Sequence, residues 1–467
     1  MSAITAPAPP AREAPPLTAQ LARAIAARHG RPRSFGDGEA EAFAPAVLEK
    51  ARLCLLDFLA CALEARNLPW SRQAAALAEA TGPCSIVGRR DRALAGDAAF
   101  ANAVAGHGLV REDMHAGAVA HLGVVVWPAV LALAEARECR LGAALDAAVI
   151  GYEVGAKLGR AMVTPEFSRY FRPTGFIGPA AAAAAGAALL RLDAARTGSA
   201  LGLAANMASG LNQWPHSGAD DMFFHPGLAV RNGLTALRLA ELGAHGSPGA
   251  LDGAAGLLTA MRPDHAPPPI TLFAEAPEIL SVFFKPVPVC NFAQTPALAA
   301  IDLVRTDTPN PDAIRGVTVR VSRAARLYPG CDHAGPFARV LQAKMSIQYA
   351  VAEALLRGRI DEASYGALHD ARRLALAARI EVVADDDLTA AFPGRQGARV
   401  EVRLEDGRRL ARSLADVVAA DAERVRARFH AAAIDALETQ DAATGIAAAI
   451  DGPADGAVAA LMALTRG

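Results

Sequence analysis

GPAAAAAAGAALL, Gly178 to Leu190, is apolar on every side. A strong helix former without a polar face has no surface on which to lie, so it belongs at the centre of other helices. The run is shorter than the roughly 20 residues a bilayer span needs, and it is built of Ala rather than Leu, so a buried core helix is the better reading. Its surroundings read the same way. Ala44 to Arg66 places Val47, Ala51, Leu55, Phe58, Leu59 and Ala62 on one face at helical spacing, and Trp127 to Glu138 and Leu141 to Met162 continue the pattern. In HPGLAVRNGLTALRLAELGAHG, Pro226 occupies an expected first-turn position and Gly243 lies just past the expected end.

Composition agrees with this. Of 467 residues 52% are hydrophobic but only 5% aromatic, so the interior must be made of Ala, Leu and Val, which favours closely packed helices. The length predicts two domains. Arg262 to Ile270, RPDHAPPPI, marks the boundary, because three consecutive prolines cannot continue a helix. Beyond it Ile314 to Val321 and Ala398 to Leu404 alternate apolar and polar residues, EDGRR supplies an Asp-Gly turn, and Arg379 to Val383 is a third strand. Helices are expected near Pro296 to Val304 and Val340 to Leu356. The prediction is a mainly α protein: a large all-helical domain over 17–265 with 417–467, and a smaller α+β lid domain over 270–416. Residues 1–16, rich in Pro and Ala, read as a disordered leader without a signal pattern.

Several function classes lose support at once. With 47 basic and 48 acidic residues mixed along the chain, net charge −1, no stripe for a phosphate backbone exists. Neither nucleic acid nor a membrane is an expected partner. The six cysteines, Cys54, Cys61, Cys84, Cys139, Cys290 and Cys331, are scattered without CxxC spacing and read as reduced thiols of a cytoplasmic protein. There is no G-x-S-x-G elbow, P-loop or G-x-G-x-x-G after a strand.

Chemistry concentrates in four places. GHGLVREDMHAGAVAHLG, Gly106 to Gly123, carries His107, Arg111, Glu112, Asp113, His115 and His121 in a glycine-punctuated segment, and the histidine spacing of eight and six fits no compact metal motif. Backbone hydrogen bonding in a turn-rich connection is the plainer role for any one of these histidines. SRYFRPTGFIGP brings Arg172 and Thr174 to the start of the apolar helix, where unpaired N–H groups already favour an anion, although a helix cap with a solvent-facing arginine reads equally well. His225 sits just ahead of an expected helix start. In FFKPVPVCNFAQTP, Lys285 is alone among apolar or neutral residues, so it either snorkels from a surface strand or turns inward for an anion. Cys290 in the same run reads as core, since only Lys285 is near enough in sequence to lower its pKa.

These clusters, in this order, resemble the MmgE/PrpD family of 2-methylcitrate dehydratase, cis-aconitate decarboxylase and iminodisuccinate epimerase. The likeness runs from about Leu17 through ARLCLLDFLACAL, NAVAGHGL, GYEVGAKLGRAM, RPTGFIGPAAAAAA, HPGLAVRNG, KPVPVC and AKMSIQYAVAEALLRG. It implies a helical domain with an α+β lid, a homodimer, no metal or organic cofactor, and chemistry at a carbon next to a carboxylate. On that likeness His121 would be the leading acid/base, with His107, Asp113, His115 and His225 orienting or assisting it. Arg172 and Lys285 would hold carboxylates, and Arg111, Thr174 and Tyr328 would contact the substrate; Lys285 could also act in catalysis. Val110 and Met114 stand where the family has Asp and Thr, Arg172 where it has His, and Met222 where it has Lys. The implied activity is a dehydratase-type lyase on a small di- or tricarboxylate. Epimerisation is the alternative, followed by decarboxylation or a non-catalytic anion-binding role.

Overall fold

The alanine-rich run is the middle of a longer helix. In the computed structural model, which describes residues 15–29, 43–262 and 264–467, that helix spans Pro173–Leu189 and every residue in it is buried. Pro173 opens it at a position whose N–H would be unpaired in any case. Pro179, inside it, donates nothing to the carbonyl of Gly175, and the amide of Ser209 takes that acceptor at 3.4 Å. The expected leader, up to residue 14, lies outside the described residues.

Around this axis the chain folds mainly as helix, 58% against 9% strand, as the composition predicts. We label the helices that frame the site α1 (Pro45–Glu64), α2 (Ala95–His107), α3 (Gly123–Ala136), α4 (Leu141–Met162), α5 (Pro173–Leu189) and α6 (Asp221–Glu241). Helices α3, α4 and α6 all pack on α5. The approach is close: a Cβ on Gly233 of α6 would come within 2.6 Å of the Pro179 carbonyl oxygen. Near the C-terminus Ala422–Leu437 lies along α1. Among the described residues no helix is long and apolar enough to cross a membrane.

The sheet comprises β1 (Ile314–Val321), β2 (Ile380–Ala384), β3 (Ala398–Leu404) and β4 (Arg409–Leu414), in the order β2-β1-β3-β4, with β1 and β2 parallel and the other pairs antiparallel. Alternation places Val317, Val319 and Val321 of β1 and Val400, Val402 and Leu404 of β3 in the core. Helix Gln294–Asp307 covers β3 and β4.

Several boundaries differ from expectation. The EDGRR turn leads into a fourth strand, whose half-exposed alternation is weak in sequence. The helix expected over Val340 to Leu356 is two, Val340–Met345 and Ile347–Arg357, broken at Ser346, whose backbone is extended and whose hydroxyl caps the second helix through the Tyr349 amide. Gly106 does not interrupt α2, because helix packing rather than turn formation requires it: a Cβ there would meet the Phe58 ring at 2.6 Å. Helix α3 begins at Gly123, before Pro128, and α6 begins at Asp221, so Pro226 lies inside the helix and His225 in its second turn. The α6 end is as expected, with Gly243 at φ +93°.

Candidate active site

His107 closes α2, and the chain then runs through a buried loop to the start of α3 at Gly123. Three attachments hold that loop. Met114 and His115 pair antiparallel with Phe283 and Val282, which brings the segment preceding Lys285 alongside. Lys285, fully buried, donates from Nζ to the carbonyls of Val110 at 2.9 Å and Val289 at 3.3 Å. Lys344, also fully buried, donates to the adjacent Leu109 carbonyl at 2.9 Å and to Glu362 at 2.6 Å. Under these constraints two β-branched residues adopt left-handed backbone, Val110 at φ +59° and Val119 at φ +49°. Such conformations cost free energy and persist only where surrounding contacts over-determine them.

The loop turns a buried carboxylate toward two histidines. Glu112 Oε1 lies 2.6 Å from His107 Nδ1 and 2.7 Å from His121 Nδ1, the second contact being poorly aligned for a hydrogen bond. Glu112 Oε2 is buried without a hydrogen-bond partner. Burial alone would raise the Glu112 pKa, but the two histidines outweigh it and hold the carboxyl well below its ordinary range. On the far side of His107, Arg172 donates from Nη2 to Nε2 at 3.2 Å. That donation makes Nε2 an acceptor and assigns the His107 proton to Nδ1, facing Glu112. Burial lowers the pKa of His107, with Glu112 opposing. His121 is lowered to about 3, by burial first and then by the Lys285 charge. Its backbone amide donates to Thr174 Oγ1 at 3.1 Å.

Arg172 is the N-cap residue of α5 and 5% exposed. The structure therefore decides against a solvent-facing arginine. Besides His107 it reaches Tyr328, donating from Nη1 to Oη at 3.3 Å, and its Nε has no partner. His121, Arg172 and Tyr328 line a cavity of about 10 Å³, room for roughly one water. Cys290, Asn291 and Phe292 line it too. So do Val110, Met114 and Met222, the positions at which the chain departs from the family pattern toward apolar residues. A second cavity, about 500 Å³, lies outward of the first and shares Val119, Phe292 and Tyr328 with it.

Other candidates are placed differently. Lys285 does not line the cavity; it secures backbone, and burial lowers its pKa while Glu112 opposes. Arg111 forks onto Glu64 at 3.1 and 2.5 Å, because α1 presents that carboxylate beside the loop. Asp113 accepts from the Gly123 amide at 3.0 Å and from the Tyr152 hydroxyl; burial raises it to about 6. His115 has both ring nitrogens engaged, Nε2 with Glu278 at 2.8 Å and Nδ1 accepting from the Ala118 amide at 3.0 Å, leaving none for a substrate. His225 Nδ1 has no partner, and burial, followed by the Arg172 charge, lowers its pKa to about 3.

Sequence reasoning gave Glu112, Asn291 and Lys344 no role at the site and read Cys290 as core. An isolated lysine in AKMSIQYA is the one signal that could have singled out Lys344. His107, Glu112 and His121 are the one group among the described residues with donors close enough to hold a metal. They suit one poorly. The nitrogens approach the shared oxygen at hydrogen-bonding distance, and a dication would face the charges of Lys285 and Arg172. The same two cations leave the cavity attractive to an anion.

Residues 37–269 match the MmgE/PrpD N-terminal domain, and residues 287–425 match the MmgE/PrpD C-terminal domain. Among characterised proteins, a cis-aconitate decarboxylase-like protein of Aspergillus oryzae is 35% identical over 208 residues, 42% of this chain and 43% of that protein. Cis-aconitate decarboxylase of Aspergillus terreus is 32% identical over 216 residues, 44% of this chain and 43% of its own. The chain thus spans less than half the length of these relatives.

Proposed function

The chain belongs to the MmgE/PrpD family, and from that premise we propose that it is a lyase acting beside a carboxylate on a small di- or tricarboxylate. The observation that carries the reading is the contact of buried Glu112 with His121 beside a small buried cavity that His121 and Arg172 line. A proton α to a carboxylate is weakly acidic, so the site must hold the carboxylate against a cation and supply a base. Arg172, with Nε free, takes the carboxylate. His121 is neutral at physiological pH, because burial disfavours its charged form. Its Nδ1 faces Glu112, leaving Nε2 to accept a proton. The negative charge of a bound substrate raises its basicity, and Glu112 stabilises the imidazolium that results.

Breaking the bond to a neighbouring hydroxyl releases water; breaking the bond to a neighbouring carboxylate releases carbon dioxide. The names of the Aspergillus relatives favour the second outcome. The apolar Val110, Met114 and Met222 make the substrate pocket less polar than the family pattern, which favours a substrate with an apolar substituent. The outer cavity is of a size to admit such a molecule.

Purified protein incubated with cis-aconitate, citrate or 2-methylcitrate in deuterium oxide tests the reading by proton NMR. Loss of carbon dioxide with deuterium entering the product, or loss of water without it, is the expected result. Deuterium at the α-carbon of an unchanged or inverted substrate would replace the lyase with an epimerase.

A further inference from the structure

Cys290 was expected to be core, yet it lines the cavity with His121 and Arg172. We infer that its thiol is the proton-handling partner of His121, an inference that rests on the lyase reading above. The chain supplies a partner that sequence distance conceals: Cys331, 41 residues on, lies with its sulfur 3.7 Å from that of Cys290. Both sulfurs are buried, and both cysteines are free thiols. Such a neighbour can donate an S–H to a thiolate at Cys290.

The charged and titratable groups around Cys290 act in the same sense. Cys331 has the largest effect and lowers the Cys290 pKa, burial opposes it, and Lys285, the Phe292 amide and Arg172 lower it further, to about 7. Tyr328 and His121 share the cavity, the first kept neutral by burial and the second uncharged near pH 7. Cys290 can therefore give up and regain a proton near neutrality, where acid–base catalysis is most effective. Of the side chains that line the cavity, His121 is a base in its resting form and lacks a spare proton on Nε2. The thiol has one.

The step balances. In loss of water, His121 Nε2 takes the α proton, the C–H electron pair becomes the double bond, and the C–O pair leaves with the oxygen. The Cys290 S–H proton joins that oxygen to make water. In loss of carbon dioxide, the C–C pair stays on carbon and the same thiol proton joins the carbon. The thiolate is stabilised by Cys331 and Lys285 until it is reprotonated, in loss of water by the proton that His121 gained and in loss of carbon dioxide by one from solvent.

The test compares the wild type with C290A, C290S, C331A and H121N. Thiolate ultraviolet absorbance, wild type minus C290A, should rise with a midpoint near neutral pH, and the midpoint should move to higher pH in C331A. Turnover of cis-aconitate, citrate or 2-methylcitrate should fall about 100-fold or more in C290A and C290S, mainly in kcat. Melting temperature should be retained, and the C331A rate profile should shift with its thiolate. A thiolate midpoint in the ordinary cysteine range, or a C290A enzyme as active as wild type while H121N is dead, overturns the inference and leaves the lyase reading intact. If the wild type turns over none of the three acids, the lyase reading fails by itself. The thiolate midpoint and its displacement by bound citrate then decide whether Cys290 handles protons in an anion site.

Discussion

Lys285 Nζ donates to the carbonyl of Val110 across 2.9 Å and thereby fixes a β-branched residue at φ +59°. The lysine that a sequence reading would give to the substrate is spent on the backbone of the loop that carries Glu112. Replacing it with methionine, K285M, leaves a buried carbonyl without its donor. Stability should fall by about 1.5–3 kcal/mol, the range for a hydrogen bond to a charged group. The urea midpoint measures this, and an unchanged midpoint would show that the loop holds its strained turn without the lysine.

Glu112→Gln should separate orientation from binding. The amide keeps the size of the side chain but removes the charge that stabilises a His121 imidazolium. We expect kcat to fall by about 100-fold or more while KM changes little, because Arg172 is untouched. A raised KM with kcat unchanged would instead assign Glu112 to substrate binding.

Arg172 is predicted to provide the anion contact, and R172K is not conservative here. Lysine cannot span Tyr328 Oη and His107 Nε2 with one planar fork while presenting a further donor to a carboxylate. Citrate should raise the melting temperature of the wild type and have little effect on R172K. Equal stabilisation of both proteins would move the anion site elsewhere.

Two carboxylates give stability opposite pH dependences. Burial raises the Asp57 pKa to about 7, so its folded form binds a proton more tightly than the unfolded chain and stability falls as pH rises from about 4 to about 7. D57N should remove that fall and gain on the order of a few kcal/mol over the wild type above pH 7. Glu278 is the reverse. Burial would raise it, but His115, Lys157 and Arg160 together lower it to about 2, so its contribution is complete above the ordinary carboxylate range and is lost as pH falls toward 2. E278Q should therefore lower stability above the ordinary carboxylate range and flatten the acid-side fall, while D57N flattens the alkaline-side fall. Urea unfolding across pH measures both.

His115→Ala should destabilise the protein without slowing turnover per folded molecule. Its nitrogens join Glu278 and the Ala118 amide, and neither reaches the cavity. A loss of kcat at full folding would return His115 to the catalytic set.

Much of this protein is determined locally. An apolar helix with no polar face must lie at the centre, as Pro173–Leu189 does, and the alternation of Ile314–Val321 and Ala398–Leu404 requires a one-sided sheet. The motifs also name residues that the fold brings together, because His107, His121 and Arg172 do meet. What no local pattern encodes is which polar groups face one another. Arg111 and Asp113 flank Glu112 in the chain, yet only Glu112 faces both histidines, since the loop's left-handed turn sends its neighbours to Glu64 and Tyr152. Lys285 reads in sequence as either snorkelling or inward-facing, and only the fold decides, because the acceptor that turns it inward lies 175 residues away. Cys290 read as core because Cys331 is 41 residues distant, and the sulfur contact exists only once the chain folds back. Periodicity records which face of an element is buried. Partnership in a low-dielectric interior, which sets charge, tautomer and pKa, is decided by tertiary packing alone.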